Sequence, residues 1–195
     1  MATRYDGGMD AARLYDLLER LGNLVRVEDR AAAAAHGLQP VHVQALHFLA
    51  RCNRYSDTPL ALADWLGATK GTVSQSVQRL LARRLVVTRK DASDRRRVHL
   101  SLTERGAALH ARLVPSALLR GLDAAAETPA DAEAVLATLL LALQRTRGGR
   151  AFGVCRTCHH FQRTAGSAGV CGLTGEPLAP AETRLICREH DPSAV

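Results

Sequence analysis

The chain has 195 residues, 47% of them hydrophobic and 23% charged, only 4% aromatic, and a formal net charge of +7. That is room for one ordinary domain plus something small, with enough apolar material for a packed core, which excludes global disorder. No run approaches the roughly 20 apolar residues of a membrane span, and the stretch up to Asp10 has no secretory apolar region, so the expectation is a cytoplasmic protein without a membrane partner. Five cysteines in that compartment favour metal ligation or redox chemistry over a disulfide framework.

In chain order, Leu14, Leu17, Leu18, Leu21, Leu24 and Val25 recur at helical spacing between Asp10 and about Ala35, ahead of a Gly37 stop and Pro40. Val41–Cys52 repeats the pattern, Asn53–Thr58 reads as a polar loop, and Pro59 opens a short helix ending at Gly67. A helix follows over about Thr72–Arg84, with Val73, Val77, Leu80 and Leu81 facing inwards. Leu85–Thr88 and Val98–Ser101 are short β-branched strands around the charged tip Arg89–Arg97. Thr103 and Glu104 start a helix through Leu109, Leu113 and Leu118, with a kink expected at Pro115. A last helix over Asp131–Arg147 is expected to bury Val135, Leu136, Leu139, Leu140 and Leu143.

The charge is concentrated. Nine basic and two acidic side chains fall within residues 70–97, and the remainder of the chain is close to neutral. One edge therefore carries a positive field able to attract a polyanion, and nucleic acid is the leading partner. A helix pair with a tight turn, followed by two short strands around a basic tip, is the pattern of a winged helix-turn-helix. The fold class expected is mainly α with a small β-wing.

The runs LADWLGATKGTVSQSVQRL (62–80) and RKDASDRRRVHLSLTERG (89–106) resemble the MarR family of bacterial transcription regulators. The resemblance extends over about residues 10–147. Its most specific part is the Asp91-x-x-Asp94-Arg95-Arg96 wing running into Leu102-Thr103-x-x-Gly106. It implies a homodimer held by the first helix and the last two, a recognition helix in the major groove, and an arginine-bearing wing in the minor groove. It also implies a pseudo-palindromic DNA operator and a small aromatic or phenolic effector, which no residue here identifies.

The residues themselves point to the same surface. Thr72, Ser74, Gln75, Gln78 and Arg79 lie mostly opposite the apolar face of their helix, and amide and guanidinium groups can pair bidentately with adenine and guanine. Lys70, Arg83 and Arg84 are expected on phosphates, which set register without sequence choice. Of Arg95, Arg96 and Arg97, one is expected to pair with Asp94 and Arg95 or Arg96 to reach the narrow minor groove.

Beyond Gly148-Gly149 the composition changes. Cys155-x2-Cys158-x12-Cys171-x15-Cys187 stands in a Gly/Pro-rich segment expected to have little regular structure or core. Four thiolates suit an iron–sulfur cluster, [4Fe–4S] favoured, or a Zn²⁺ ion. Phe161 would shield a cluster, and His159 or His190 could replace one thiolate, with His160 also near in sequence. Cys52 reads as a small buried apolar residue. The domain plan is 1–40 and 103–147 for dimerisation, 41–102 for DNA, and 148–195 for metal. The function expected is a sequence-specific DNA-binding regulator, not an enzyme, with a cysteine site that senses redox state or metal supply. The alternatives are purely structural zinc with an aromatic effector and, more remotely, a thiol oxidoreductase using Cys155 and Cys158.

Overall fold

The computed structural model describes residues 10–92, 94–113, 120–121, 131–146, 150–164 and 169–192. The expected Pro115 kink, Leu118 and the Gly148-Gly149 break lie outside them.

Asp10 caps the first helix, α1 (Ala11–Ala35), its carboxylate accepting from the N–H groups of Ala12 and Arg13 at 3.0 and 3.2 Å. Pro40 opens α2 (Pro40–Leu49), and the Thr58 hydroxyl caps α3 (Pro59–Leu66), which Gly67 ends in the left-handed region at φ 60°. Thr69 caps α4 (Lys70–Ala82) by accepting from Thr72 N–H at 3.2 Å. The wing is the antiparallel pair β1 (Val86–Lys90) and β2 (Val98–Leu102), with Val86 opposite Leu102 and Lys90 opposite Val98. Then come α5 (Glu104–Leu113) and α6 (Ala132–Thr146).

The core is built around α2. Phe48, Leu46, Leu62, Leu80, Leu100, Val73 and Val86 are its largest fully buried side chains, drawn from α2, α3, α4 and both wing strands. Thr103 and Gly106 fix α5 against it. Thr103 Oγ1 accepts from Gly106 N–H at 2.9 Å and donates to Arg84 O at 2.8 Å, while a Cβ at Gly106 would strike the Leu85 carbonyl.

The burial expected of the last helix is corrected. Val135, Leu136, Leu140 and Leu143 on α6 are 44–58% exposed, as are Leu17, Leu21, Leu24 and Val25 on α1 at 46–52%. Both helices keep the right period but have no apolar neighbour for that face among the described residues.

The cysteine-rich tail is more ordered than its composition led us to expect. Strand β3 (Gly153–Val154) pairs with β7 (Ile186–Cys187), and β4 (Phe161–Gln162), β5 (Gly169–Cys171) and β6 (Pro177–Leu178) form a small antiparallel sheet in that order. It also shares a core with the rest: Ile186, 5% exposed, belongs to the main apolar cluster. Phe152 stands edge-on to Trp65 and Phe48, at centroid distances of 5.2 and 6.0 Å. Burying Ile186 alone contributes about 2 kcal/mol, the usual worth of a large aliphatic side chain taken from water.

Candidate nucleic-acid interface and four-cysteine site

Helix α4 divides as its sequence pattern requires. Val73, Val77 and Leu80 are buried, whereas Lys70, Thr72, Ser74, Gln75, Gln78 and Arg79 are exposed. Ser76, also buried, returns its hydroxyl to Thr72 O at 2.9 Å and is silent outwards. Arg84 is exposed and holds φ 55°, so it ends the helix as an αL cap without being glycine. Arg83 differs from expectation: its guanidinium donates to Gly37 O at 2.6 Å, tying α4 to the end of α1.

At the wing tip, Asp94 Oδ1 accepts from both the backbone N–H and Nε of Arg96, at 3.0 and 3.2 Å. Arg96 is therefore the arginine engaged with Asp94, while Arg95 and Arg97 are exposed with no side-chain partner among the described residues. The tip is anchored by Asp91, whose carboxylate accepts from Asp94 N–H at 2.9 Å. Behind it His99, 6% exposed, bonds Asp57 through Nδ1 and Asp91 through Nε2, the latter at 2.9 Å. Burial alone would depress the His99 pKa, but the two carboxylates outweigh it and raise it. The sequence pattern alone gave His99 no role at the wing. A buried histidine two strand positions from a wing tip rich in aspartate was the only available signal.

The four tail cysteines are all free, and all four line one cavity of about 960 Å³. Burial, then repulsion from Cys187, Cys158 and Cys171, pushes the Cys155 thiol up to about 11. The sulfur atoms are thus within electrostatic reach of one another. Among the described residues no three such donors are grouped tightly enough to hold a single ion. A backbone N–H points at one of the sulfurs, from Asp191 to Cys158 Sγ at 3.4 Å.

His160 and Phe161 line the same cavity. His159 is exposed, and His190 turns its Nε2 to Thr157 Oγ1 at 3.0 Å, packing over Gly153 where a Cβ would meet its ring. Cys52 lies apart, its thiol pushed up to about 12 by burial and Asp57, consistent with an inert packing residue. The opposite wall of the cavity includes Lys70, Ser74 and Gln78 of α4 and Arg96 and Arg97 of the wing. The sulfur site and the reading edge therefore share one recess.

A model of the MarR family matches residues 36–97. The HTH-type transcriptional repressor NicR of Pseudomonas putida is 34% identical over 108 residues, covering 53% of this chain and 68% of that protein. Among solved structures, a MarR-family regulator from Silicibacter pomeroyi is similar with a TM-score of 0.57 at 24% identity, over 74% of this chain and 96% of its own. BpsR of Bordetella bronchiseptica, whose DNA binding is regulated by 6-hydroxynicotinic acid, gives a TM-score of 0.51 at 21% identity, over 68% of this chain and 98% of its own. No described helix is long and apolar enough to cross a membrane. By its recognition helix, its wing and its likeness to NicR, the chain belongs to the MarR family of DNA-binding transcription regulators.

Proposed function

We propose that this chain is a homodimeric regulator that reads a pseudo-palindromic operator with α4 and the wing, and that Cys155, Cys158, Cys171 and Cys187 hold an iron–sulfur cluster. The observation that carries the second half is the convergence of four free thiols on one recess. Zinc would need its sulfurs about 3.8 Å apart, the tetrahedral consequence of a Zn–S bond of about 2.3 Å. A polynuclear cluster spreads its thiolates over several irons and so takes a wider set of sulfurs. The N–H aimed at Cys158 is the kind of donor that stabilises a thiolate ligand. When bound, such a cluster supplies an oxidant-labile centre, and so a way to report redox state or iron supply. Zinc as a purely structural staple remains the competing outcome of the test below.

The exposed apolar faces of α1 and α6 are the surfaces for the partner copy. Gln75, Gln78 and Arg79, with Thr72 and Ser74, are assigned to base edges, Lys70 and Arg84 to phosphates, and Arg95 with Arg97 to the minor groove. Arg96 supports the tip from Asp94.

Anaerobic purification with elemental analysis and a visible spectrum tests the metal. Brown protein with about four irons per chain is the expected result, and colourless protein with one zinc would overturn it. Serine at any of the four cysteines should abolish the metal. For DNA, selection from random duplexes should return an inverted repeat. Gln75→Ala or Arg79→Ala should then relax base discrimination by about 1–3 kcal/mol.

A second reading is favoured by the recess itself, which has apolar walls at Val77, Leu81 and Leu100 and cations at Lys70 and Arg188. Together with the aromatic acid that regulates BpsR, this supports an anionic aromatic effector. Calorimetric titration with 6-hydroxynicotinic acid, with and without operator, tests it.

A further inference from the structure

The four cysteines are not closed off by their own segment of chain. The residues on either side of Cys187 are held by Asn53 and Ser56, which belong to the loop between α2 and α3 and are 3% and 0% exposed. Ser56 Oγ donates to Asn53 Oδ1 and accepts from Arg188 N–H, each at 2.8 Å. Asn53 N–H donates to Ile186 O at 2.9 Å, and Ile186 N–H donates to Arg51 O at 2.8 Å, so the loop and β7 are stitched along their backbones. The same loop grips the segment around Cys171. Arg54 bonds Glu176 and Glu182 at 3.1 and 2.7 Å, and Glu176 O accepts from Cys171 N–H at 2.9 Å.

The residue after Ser56 is Asp57. Its side chain holds His99, and its carbonyl accepts from Leu100 N–H at 2.6 Å, so it pins β2 on both sides of one residue. His99 in turn holds Asp91, which anchors the arginine tip. We propose that Asn53 and Ser56 are positioning residues of the four-cysteine site, and that the path from the Cys187–Arg188 backbone through Ser56, Asp57 and His99 to Asp91 ties ligation of that site to the placement of the wing. This rests on the cluster reading above. Two features make it physical. Every intermediate group is buried or half-buried, so a shift at Cys187 is not absorbed by solvent. Its non-covalent links, Arg188 N–H to Ser56, Asp57 to His99 and His99 to Asp91, are discrete hydrogen bonds that are either made or broken, the kind of element that carries coupling between sites. The route differs from one through the dimerisation helix, because the described contacts of the tail run to α2, where Phe152 meets Phe48, to the loop, and to α3, where Arg188 meets Asp64 at 2.6 Å.

The test uses full-length protein purified anaerobically, with ferrous iron and sulfide as the loading agents and the duplex recovered by selection as the DNA probe. Loaded and iron-stripped wild type should differ in DNA affinity on the order of tenfold, within the usual range for coupled sites. Ser56→Ala should keep its iron, shift the reduction potential and release iron to a chelator several-fold faster. His99→Gln should keep the wild-type spectrum, potential and release rate, but bring the loaded-to-stripped affinity ratio towards one. A wild-type ratio in His99→Gln, or an unchanged potential and release rate in Ser56→Ala, overturns the proposal. Wild type that takes up no iron fails earlier, at the cluster reading, and takes the inference with it. Should Ser56→Ala not fold, His99→Gln decides the matter alone.

Discussion

The winged-helix body and the cysteine tail solve the same problem with different means. The body buries Phe48, Leu46, Leu62, Leu80 and Leu100 completely, and apolar burial holds it together. The tail has two-residue and three-residue strands and only a few buried apolar side chains, Ile186 and Leu178 chief among them. Ile186 is lent to the body's core, while polar clamps from Arg54, Tyr55 and Arg188 fasten the edges. A module that cannot close its own core becomes an attachment of the domain it docks on.

The sharpest way to separate the two regions is to remove one core side chain from each. Leu62→Ala should cost about 2–5 kcal/mol and bring the body down as a unit, seen as loss of helical circular dichroism and of DNA binding together. Ile186→Ala removes a comparable volume, yet its loss should fall mainly on the attachment: rapid proteolytic cleavage near residue 150 while the body keeps its helices. If Ile186→Ala melts everything at once, the two regions are one cooperative unit and the distinction fails.

The clamps form the next rank. Arg188 bonds Asp64 and Glu189 with its own side chain 15% exposed, whereas Arg54 and its partner Glu176 are 43% and 53% exposed. Hydrogen bonds to charged, shielded groups are worth about 1.5–3 kcal/mol, and exposed ion pairs about 0.2–1 kcal/mol. Arg188→Ala should therefore loosen the tail in hydrogen exchange much more than Arg54→Ala, and at high salt the difference should widen.

The same contrast explains what could be read from the sequence. Helix periodicity, the proline start at Pro59, the glycine stop at Gly67 and the charged hairpin are local, and each reappears within a few residues of where the pattern put it. The conjunction of Thr103 and Gly106 was legible as a motif, and its cause is now a cap and a close approach to Leu85. The convergence of four cysteines on one recess was likewise within reach of spacing alone. Docking of the tail was not. The bond from Arg188 to Ser56 spans 132 positions, and neither residue carries any periodic or compositional signal. The exposed face of α6 was expected to be buried because periodicity reports that a face is apolar, not what covers it.

A smaller effect distinguishes the two roles of Arg84. Its φ of 55° is one that glycine adopts freely and a branched backbone resists. Arg84→Gly should raise stability by about 1 kcal/mol. It should also weaken binding to every duplex alike and reduce the salt slope by about one. Stability and affinity would then move in opposite directions in one variant, measured by thermal melting and by anisotropy over a salt series. A loss confined to the selected operator would instead make Arg84 a base reader.

The smallest effect is also the one that contrasts the wing with the helical side of the body. On the helical side His47 is pulled down to about 4, by burial first and then by Arg51 and His110, while Asp29 opposes; His42 and His110 are lowered too. Those three are neutral in the folded state, so they stabilise it above the ordinary histidine pKa of about 6.5, and that contribution is lost as pH falls towards their depressed values. His99 runs the other way. Its carboxylate partners Asp57 and Asp91 overcome both burial and Arg89, so the folded state prefers the imidazolium. Its contribution is complete below about 6.5 and disappears as pH rises through the elevated value. Acid should therefore weaken the packing of α2 on α5, where His47 meets His110 at 3.2 Å, and mild alkali should loosen the wing. Histidine NMR titration separates the two sets. In His99→Gln the alkaline loss of wing protection in hydrogen exchange should vanish while the acid limb stays, and an alkaline limb that survives the substitution would put its origin elsewhere than in the wing histidine.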